Sequence, residues 1–181
     1  MSYHQQRLER TFCRVYEKSS VFNLQEVIKV PETLSSFLVK LRFLYNDQDF
    51  ICEYDEYKPR NIKTLRLLEN NIINYSFKST DRSMINHLFE QKDDCDDILI
   101  VKNGFVTDSS SANIVFFNGK NWLTPDTPLL EGTCRARLLE KSKIKEAVIR
   151  LEQIPAFQSF CLINAMVEGF DHPLPINNII F

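Results

Sequence analysis

The chain has 181 residues, a hydrophobic content of 44% and a formal net charge of -2 at pH 7. That length accommodates one domain or two small lobes with a shared core, and the charge gives no reason to expect nucleic acid or an anionic membrane as a partner. The sequence contains no run of about eighteen apolar residues, so no membrane span is predicted. It also lacks a charged start followed by an apolar segment, so no signal peptide is predicted.

Five scattered cysteines, without a Cys-x-x-Cys pair, are typical of reduced thiols in a cytoplasmic protein and do not predict a structural zinc site. The four glycines form neither a Gly-x-Gly-x-x-Gly fingerprint nor a P-loop, so a glycine-rich phosphate loop is excluded. No two of the three histidines have the spacing of metal ligands. The sequence therefore predicts no metal site.

The first third of the chain predicts a helix followed by an antiparallel meander. Apolar side chains recur at helical spacing near the start, at Leu8, Phe12, Val15 and Tyr16. Weaker helical segments lie on either side of Pro31. Alternating polar and apolar side chains predict strands over three ranges, 38–45, 50–57 and 62–68.

The rest of the chain predicts a sheet with short helices. Helical spacing is found over 83–90, where Thr80 or Asp81 would be the N-cap, and over 132–139. Apolar or alternating runs predict further strands over 98–101, 114–117, 121–125, 145–152 and 161–166. Asn118-Gly119 is a hairpin signal. A boundary near Asn74 would divide the chain into a small lobe, 1–74, and a larger lobe, 75–181.

A polar segment between the apolar runs 98–101 and 114–117 holds Asp108, three consecutive serines and Asn113. A plain hairpin would not need so many small polar residues, so this pattern is typical of a sheet that presents a carboxylate to a cavity. The serines suggest a nucleophile, but no Gly-x-Ser-x-Gly elbow accompanies them and the histidines show no triad pattern. Hydrolase chemistry is therefore not predicted.

This segment resembles the Gly-x-Val-Thr-Glu-x-x-x-x-Asn signature of class IV pyridoxal-phosphate enzymes, with Asp108 in place of the usual glutamate. Four further motifs follow the order and approximate spacing of that family, namely His4-x-x-Arg7-Leu8, Lys78-x-x-Asp81-Arg82, Gly132-Thr133-Cys134-Arg135 and Asn164-Ala165-Met166. Together they extend over nearly the whole chain.

Each of these motifs has an ordinary explanation when it is taken alone. Lys78 would be an exposed lysine at a helix start, and Arg7 would belong to a solvated helix face. Gly132 would cap a helix, and Asn164 would be an amide that is hydrogen-bonded in the core. Lys78 also follows two aromatic residues, and partial removal from water would favour its neutral, nucleophilic form. The ordered set of motifs outweighs the separate explanations.

The resemblance implies an α+β protein of fold type IV, like D-amino acid aminotransferase, with a small antiparallel α/β lobe and a larger β-rich lobe. It implies pyridoxal 5'-phosphate as the cofactor, with Lys78 as the catalytic lysine that bonds to its aldehyde. Asp108 would contact the pyridine nitrogen, and Arg7 and the start of the 132–139 helix would bind the phosphate. The implied cofactor-binding residues are Arg7, Lys78, Asp108, Gly132, Thr133, Cys134, Asn164 and Ala165.

The same resemblance implies a small-molecule amino substrate and a homodimer. It favours a 4-amino-4-deoxychorismate lyase, which eliminates pyruvate to give 4-aminobenzoate for folate biosynthesis. A branched-chain or D-amino acid aminotransferase and a non-catalytic homologue with a remodelled pocket are the alternatives. Family members carry strands before the His-x-x-Arg helix, whereas this chain begins almost on that motif, so substrate-side residues are not predicted.

Overall fold

The computed structural model describes residues 1–34, 38–167, 170 and 172–181. The chain divides into two compact units, Met1–Arg60 and Asn61–Phe181. Their boundary lies earlier than the predicted boundary at Asn74, because the strand Leu65–Glu69 pairs with strands of the second unit. No helix in the described part of the chain has the length and apolar character that a membrane crossing requires.

The first unit combines an amphipathic helix with a hairpin. Helix α1 (Ser2–Val15) matches the helical spacing of the sequence and buries Leu8 and Phe12. Strands β1 (Val39–Tyr45) and β2 (Phe50–Glu56) pair antiparallel over their full length. Between helix and hairpin lie the short helix α2 (Leu24–Val27) and a 3-10 turn after Pro31, Glu32–Leu34.

Aromatic side chains form the core of the first unit. Phe12 is fully buried, and its ring stacks on that of Tyr45 of β1 at a centroid distance of 5.8 Å. Phe22 contacts Phe12 edge-on at 5.8 Å and also meets Phe43. Such aromatic pairs stabilise a core beyond the burial of their area, which compensates for the small size of this unit.

The second unit is built on one mixed sheet. Its strands are β3 (Leu65–Glu69), β4 (Asp97–Lys102), β5 (Phe105–Ser109), β6 (Asn113–Phe117), β7 (Trp122–Pro125), β8 (Lys145–Ala147), β9 (Ser159–Ile163), β10 (Leu174–Pro175) and β11 (Ile179–Ile180). Over the described residues the order is β10-β9-β6-β5-β4-β3-β11, and β7 pairs with both β6 and β8. The β3 strand is parallel to β4 and β11, whereas the central pairs β4–β5, β5–β6 and β6–β9 are antiparallel.

Both faces of the sheet are covered, which explains why β4 is a continuous apolar run rather than an alternating one. Leu99 and Val101 of β4 face a core that includes Ile114 and Phe116 of β6. The opposite face of β4 packs against helix α3 (Ser83–Phe89). The opposite face of β6 packs against helix α4 (Thr133–Glu140). The two helices therefore lie beside the strands that lead into and out of the polar segment.

Three local expectations differ from the structure. The third strand of the predicted meander, over 62–68, belongs instead to the large sheet as β3. Local alternation predicts a strand but does not reveal its partner. The strand expected over 145–152 ends at Ala147, and a 3-10 segment, Leu151–Ala156, follows. The N-cap of α3 is Arg82, although the carboxylate of Asp81 still accepts a hydrogen bond from the Ser83 N–H at 2.9 Å.

Candidate active site

Asp108 and Asn113 form the centre of the polar segment. They lie opposite each other where β5 and β6 join, as the first residue pair of this hairpin. The Asn113 Nδ2 group donates to Asp108 Oδ1 at 2.7 Å and to the Leu130 carbonyl at 2.8 Å. The backbone N–H of Leu130 donates to Asp108 Oδ2 at 2.9 Å. Both carboxylate oxygens are therefore held in place by neighbouring groups.

The Asp108 carboxyl is almost completely buried, with 5% of the residue exposed. Burial raises its pKa to about 6, because removal from water disfavours the charged form. The hydrogen bonds from Leu130 and Asn113 and the positive charge of Arg135 act in the opposite direction. This carboxyl would lose its proton more readily beside a cation, which makes it suited to a positively charged ligand group.

The start of α4 lies against this pair. Gly132 is the N-cap of the helix, and a Cβ atom added to it would collide with Asn113 Oδ1. Its φ of -69° is open to any residue, so the close approach to Asn113, rather than the backbone conformation, requires glycine here. Thr133, which follows it, is buried. The first N–H groups of a helix lack intrahelical partners and attract anions.

Replacing Gly132 with alanine is expected to lower the free energy of unfolding by about 1–3 kcal/mol, since overpacking a filled site costs this much. Asn113 cannot easily move away, because its amide holds both Asp108 and the Leu130 carbonyl. Denaturant unfolding of Gly132→Ala, Asn113→Ala and the double variant measures the effect. The alanine at 132 should cost clearly less when Asn113 is already truncated. Equal costs in both backgrounds would contradict this account.

Lys78 lies in the loop between β3 and α3 and is exposed, as the ordinary explanation of a lysine at a helix start predicts, and is not partly removed from water. The backbone turns tightly at this residue, since the Ser79 N–H donates to the Phe77 carbonyl at 2.8 Å. Nearby, Arg82 Nη2 donates to the Ser110 carbonyl at 2.8 Å. The loop of Lys78 is thus connected to the turn that follows Asp108.

Asn164 lies just beyond the end of β9, where the preceding residue, Ile163, pairs with Asn113. The strand expected over 161–166 therefore ends before the amide. Asn164 Oδ1 accepts hydrogen bonds from the N–H groups of Met166 and Val167, at 2.9 and 3.0 Å. The amide shapes a turn, and the exposed Ala165 lies at its tip.

The structure thus brings most of the predicted residues into one unit. Asp108 and Gly132 lie against Asn113, Thr133 follows Gly132 in α4, and Asn164 follows Ile163, the β9 residue that pairs with Asn113. The Lys78 loop is joined to the same hairpin. Cys134 is the second residue of α4, and its buried side chain packs in the core. Arg7 lies partly buried on α1 of the first unit, and its role stays a prediction. Two open grooves of about 750 and 510 Å³ are lined by first-unit residues only, and include none of the predicted site residues.

The motifs in the sequence predict no role for Asn113 or Arg82, although both residues fall within them. A spacing of five residues across a short hairpin turn is the signal that pairs Asn113 with Asp108. The neighbouring serines have a structural role, since Ser109 Oγ accepts from the N–H groups of Ser111 and Ala112. Their contacts build the turn.

The chain is similar to known proteins along most of its length. The family model for amino-transferase class IV matches residues 2–171. An uncharacterized protein of Haemophilus influenzae is 45% identical over 165 residues, which are 90% of this chain and 88% of that protein. The crystal structure of a candidate 4-amino-4-deoxychorismate lyase from Haemophilus somnus 129PT has a TM-score of 0.84 and 37% identity, covering 91% of this chain and 88% of that one.

A more distant structure has the same fold. It is the pyridoxal-phosphate-bound form of a hypothetical aminotransferase from Mycobacterium tuberculosis, with a TM-score of 0.76 and 15% identity over 96% of this chain and 74% of that one. The fold predicted from the sequence, α+β of fold type IV, is confirmed. The chain belongs to the class IV aminotransferase family, whose members are pyridoxal-phosphate-dependent enzymes.

Proposed function

We propose that this chain binds pyridoxal 5'-phosphate and acts as a 4-amino-4-deoxychorismate lyase, releasing pyruvate and 4-aminobenzoate. The observation that carries the proposal is the buried Asp108 carboxyl, held by Asn113 and the Leu130 N–H in the same unit as Lys78. An amine and a buried acid on connected loops are the two groups that such a cofactor requires at opposite ends of its ring.

The described groups fit the cofactor chemically. The raised pKa of Asp108, about 6, belongs to a buried acid that gains stability when a cation such as a protonated ring nitrogen lies beside it. The glycine N-cap of α4 presents backbone to the site without a side chain, as a phosphate at a helix N-terminus requires. The hydroxyl of Thr133 is a further donor at this end. The Asn164-Ala165 turn of the same unit is proposed to complete the phosphate site, and the role of Arg7 stays a prediction from the sequence.

The residues of the chain would divide the chemistry between them. The cofactor, when bound, supplies an electron-withdrawing ring that stabilises negative charge on the carbon bearing the amino group of the substrate. Ionised Asp108 keeps the ring nitrogen protonated, since a nearby anion raises the pKa of a cation. The Lys78 amine accepts the proton of the amino-bearing carbon. The electrons of that C–H bond would form the last double bond of the aromatic ring as the neighbouring C–O bond breaks and enolpyruvate leaves. Enolpyruvate takes up the proton and becomes pyruvate, so pyruvate plus 4-aminobenzoate account for all atoms of the substrate.

The 37% identity to the Haemophilus somnus protein, a candidate lyase, supports a lyase rather than an aminotransferase. The Lys78-x-x-Asp81-Arg82 and Asn164-Ala165-Met166 segments support it as well, since they resemble the corresponding lyase segments. Leu130 and Asn113 hold the Asp108 carboxylate directly, which supports a fixed position for an acid one methylene shorter than the usual glutamate.

A product assay tests the proposal. Purified protein with pyridoxal phosphate and 4-amino-4-deoxychorismate should release 4-aminobenzoate and pyruvate in equal amounts, measured by chromatography and by a coupled lactate dehydrogenase assay. Lys78→Ala protein is the control for uncatalysed release. Formation of keto acids from branched-chain or D-amino acids, with no 4-aminobenzoate, would assign the chain to aminotransferases instead.

A further inference from the structure

Arg82 makes a set of contacts that helix capping does not explain. It is the N-cap residue of α3, but its side chain makes no capping hydrogen bond. The guanidinium extends to the phenol of Tyr75, with Nη1 3.4 Å from its oxygen, and to the Ser110 carbonyl, with Nη2 at 2.8 Å. It also lies over the Tyr75 ring, 5.5 Å from the centroid. One side chain therefore joins two loops that are far apart in sequence.

Those two loops carry the proposed catalytic groups. Ser110 is buried in the turn between β5 and β6, two residues after Asp108. On the other side, the Tyr75 hydroxyl donates to the Ser79 carbonyl at 2.8 Å, so the contact spans Lys78. The Tyr75 ring is itself fixed in the core that covers β4. The chain of contacts runs from the core, through Tyr75 and Arg82, to the Asp108 hairpin.

We propose that Arg82 is a positioning residue that fixes the loop of Lys78 against the turn following Asp108. This inference rests on the proposed function, because it concerns the geometry between the amine and the acid. A lysine on a loop has many orientations, and a misplacement of about 1 Å can cost about 10²-fold in rate. The planar fork of arginine reaches both acceptors at once, whereas lysine would reach one.

The experiment separates attachment of the cofactor from its binding. Pyridoxamine 5'-phosphate has no aldehyde, so its binding does not involve bond formation with Lys78. Arg82→Ala should bind pyridoxamine phosphate within about threefold of the wild-type affinity. The rate at which pyridoxal phosphate becomes fixed to Lys78 by borohydride should fall about 10²-fold. Added guanidinium ion should restore part of this rate in Arg82→Ala.

Matched variants test whether slower attachment results from a general effect on folding. Arg66→Ala removes another half-buried guanidinium that binds a backbone carbonyl, Phe181 O at 2.7 Å, and should leave attachment unchanged. Tyr75→Phe keeps the ring and removes the hydroxyl, and it should slow attachment. In the double variant with Arg82→Ala, the slowing should be less than the two single effects combined. Arg82→Lys should resemble Arg82→Ala rather than the wild type.

The outcomes are distinct. Wild-type protein that attaches the cofactor to Lys78, with Arg82→Ala attaching it equally fast, would overturn the positioning role alone. Equal loss of attachment and of pyridoxamine phosphate binding in Arg82→Ala would also overturn it, because the residue would then only hold the fold. If Arg82→Ala does not fold, Arg82→Lys and Tyr75→Phe decide by the same comparison. Wild-type protein that takes up neither cofactor would overturn the proposed function together with this inference.

Discussion

Replacing Lys78 with alanine is expected to lower kcat for 4-aminobenzoate release by at least about 10⁴-fold, because both covalent attachment and proton transfer are lost. The fold should be unaffected, since Lys78 is exposed in a loop and contributes nothing to the apolar core. Steady-state kinetics measures the first effect and thermal unfolding the second.

Lys120→Ala is a suitable control for Lys78→Ala. Lys120 is also exposed and lies in the turn after Asn118 of the same unit. Borohydride reduction followed by peptide mapping should place the cofactor on Lys78 in the wild type and in Lys120→Ala, and nowhere in Lys78→Ala. A Lys78→Ala protein that keeps more than about one tenth of the activity would exclude this residue from the chemistry.

Replacing Asp108 with asparagine should change how stability depends on pH. Because its pKa is raised, Asp108 keeps its proton in the folded protein without ligand between about pH 4 and about pH 6. The unfolded chain has lost this proton in the same pH range. The free energy of unfolding contributed by this group therefore falls as pH rises through that window. The asparagine variant cannot ionise at this position and lacks this contribution.

The size of the Asp108 effect follows from the shift of its pKa. A shift of about 2 units corresponds to about 3 kcal/mol, so the unfolding free energy of the wild type should fall by this amount relative to the variant between pH 3 and pH 7. Denaturant unfolding at several pH values measures the difference. The asparagine also changes the hydrogen bonds at this position, but the free energy of that change does not depend on pH. It therefore moves the whole curve of wild type minus variant up or down without changing its slope. A flat curve would show that Asp108 is not a buried titrating acid.

The same substitution should lower activity by about 10²-fold or more, since an amide carries no charge to keep the ring nitrogen protonated. Affinity of the wild type for pyridoxal phosphate should increase as pH rises through 6, where Asp108 ionises. The variant should lack this increase. An identical pH dependence in both proteins would exclude a charge interaction between Asp108 and the cofactor.

Local patterns in the sequence were sufficient to predict most helices and strands. The spacing of Leu8 and Phe12 predicts α1, and the apolar run 98–101 predicts the buried strand β4. The turn between β4 and β5 has a local signal as well, since the pair Asn103-Gly104 directly follows the apolar run. In the structure Asn103 and Gly104 both have positive φ, 53° and 76°, as such a turn requires.

Long-range pairing could not be predicted from these patterns. Alternation over 62–68 shows a strand, but not that β3 joins β4 in parallel instead of continuing the first hairpin. The boundary of the second unit depends on this pairing, so it was placed too late. The sequence also left open whether Lys78 is exposed or partly removed from water, because aromatic neighbours in sequence do not determine which side of a loop faces water.

The site itself was predictable in part. Asp108 and Gly132 were named from motifs, whereas the contact between Gly132 and Asn113 depends on how α4 packs on β6. The hydrogen bond from the Leu130 N–H to Asp108 joins residues 22 positions apart and has no local signal. The same holds for the contact of Arg82 with Ser110, which joins two loops only in the folded unit.

A crystal structure of the borohydride-reduced protein with its cofactor would show which residues hold the two ends of the ring. We expect a covalent bond from Lys78 Nζ to the cofactor and a hydrogen bond from the ring nitrogen to the carboxylate of Asp108. A cofactor bound to another lysine, or a ring nitrogen that faces any group other than Asp108, would contradict this expectation.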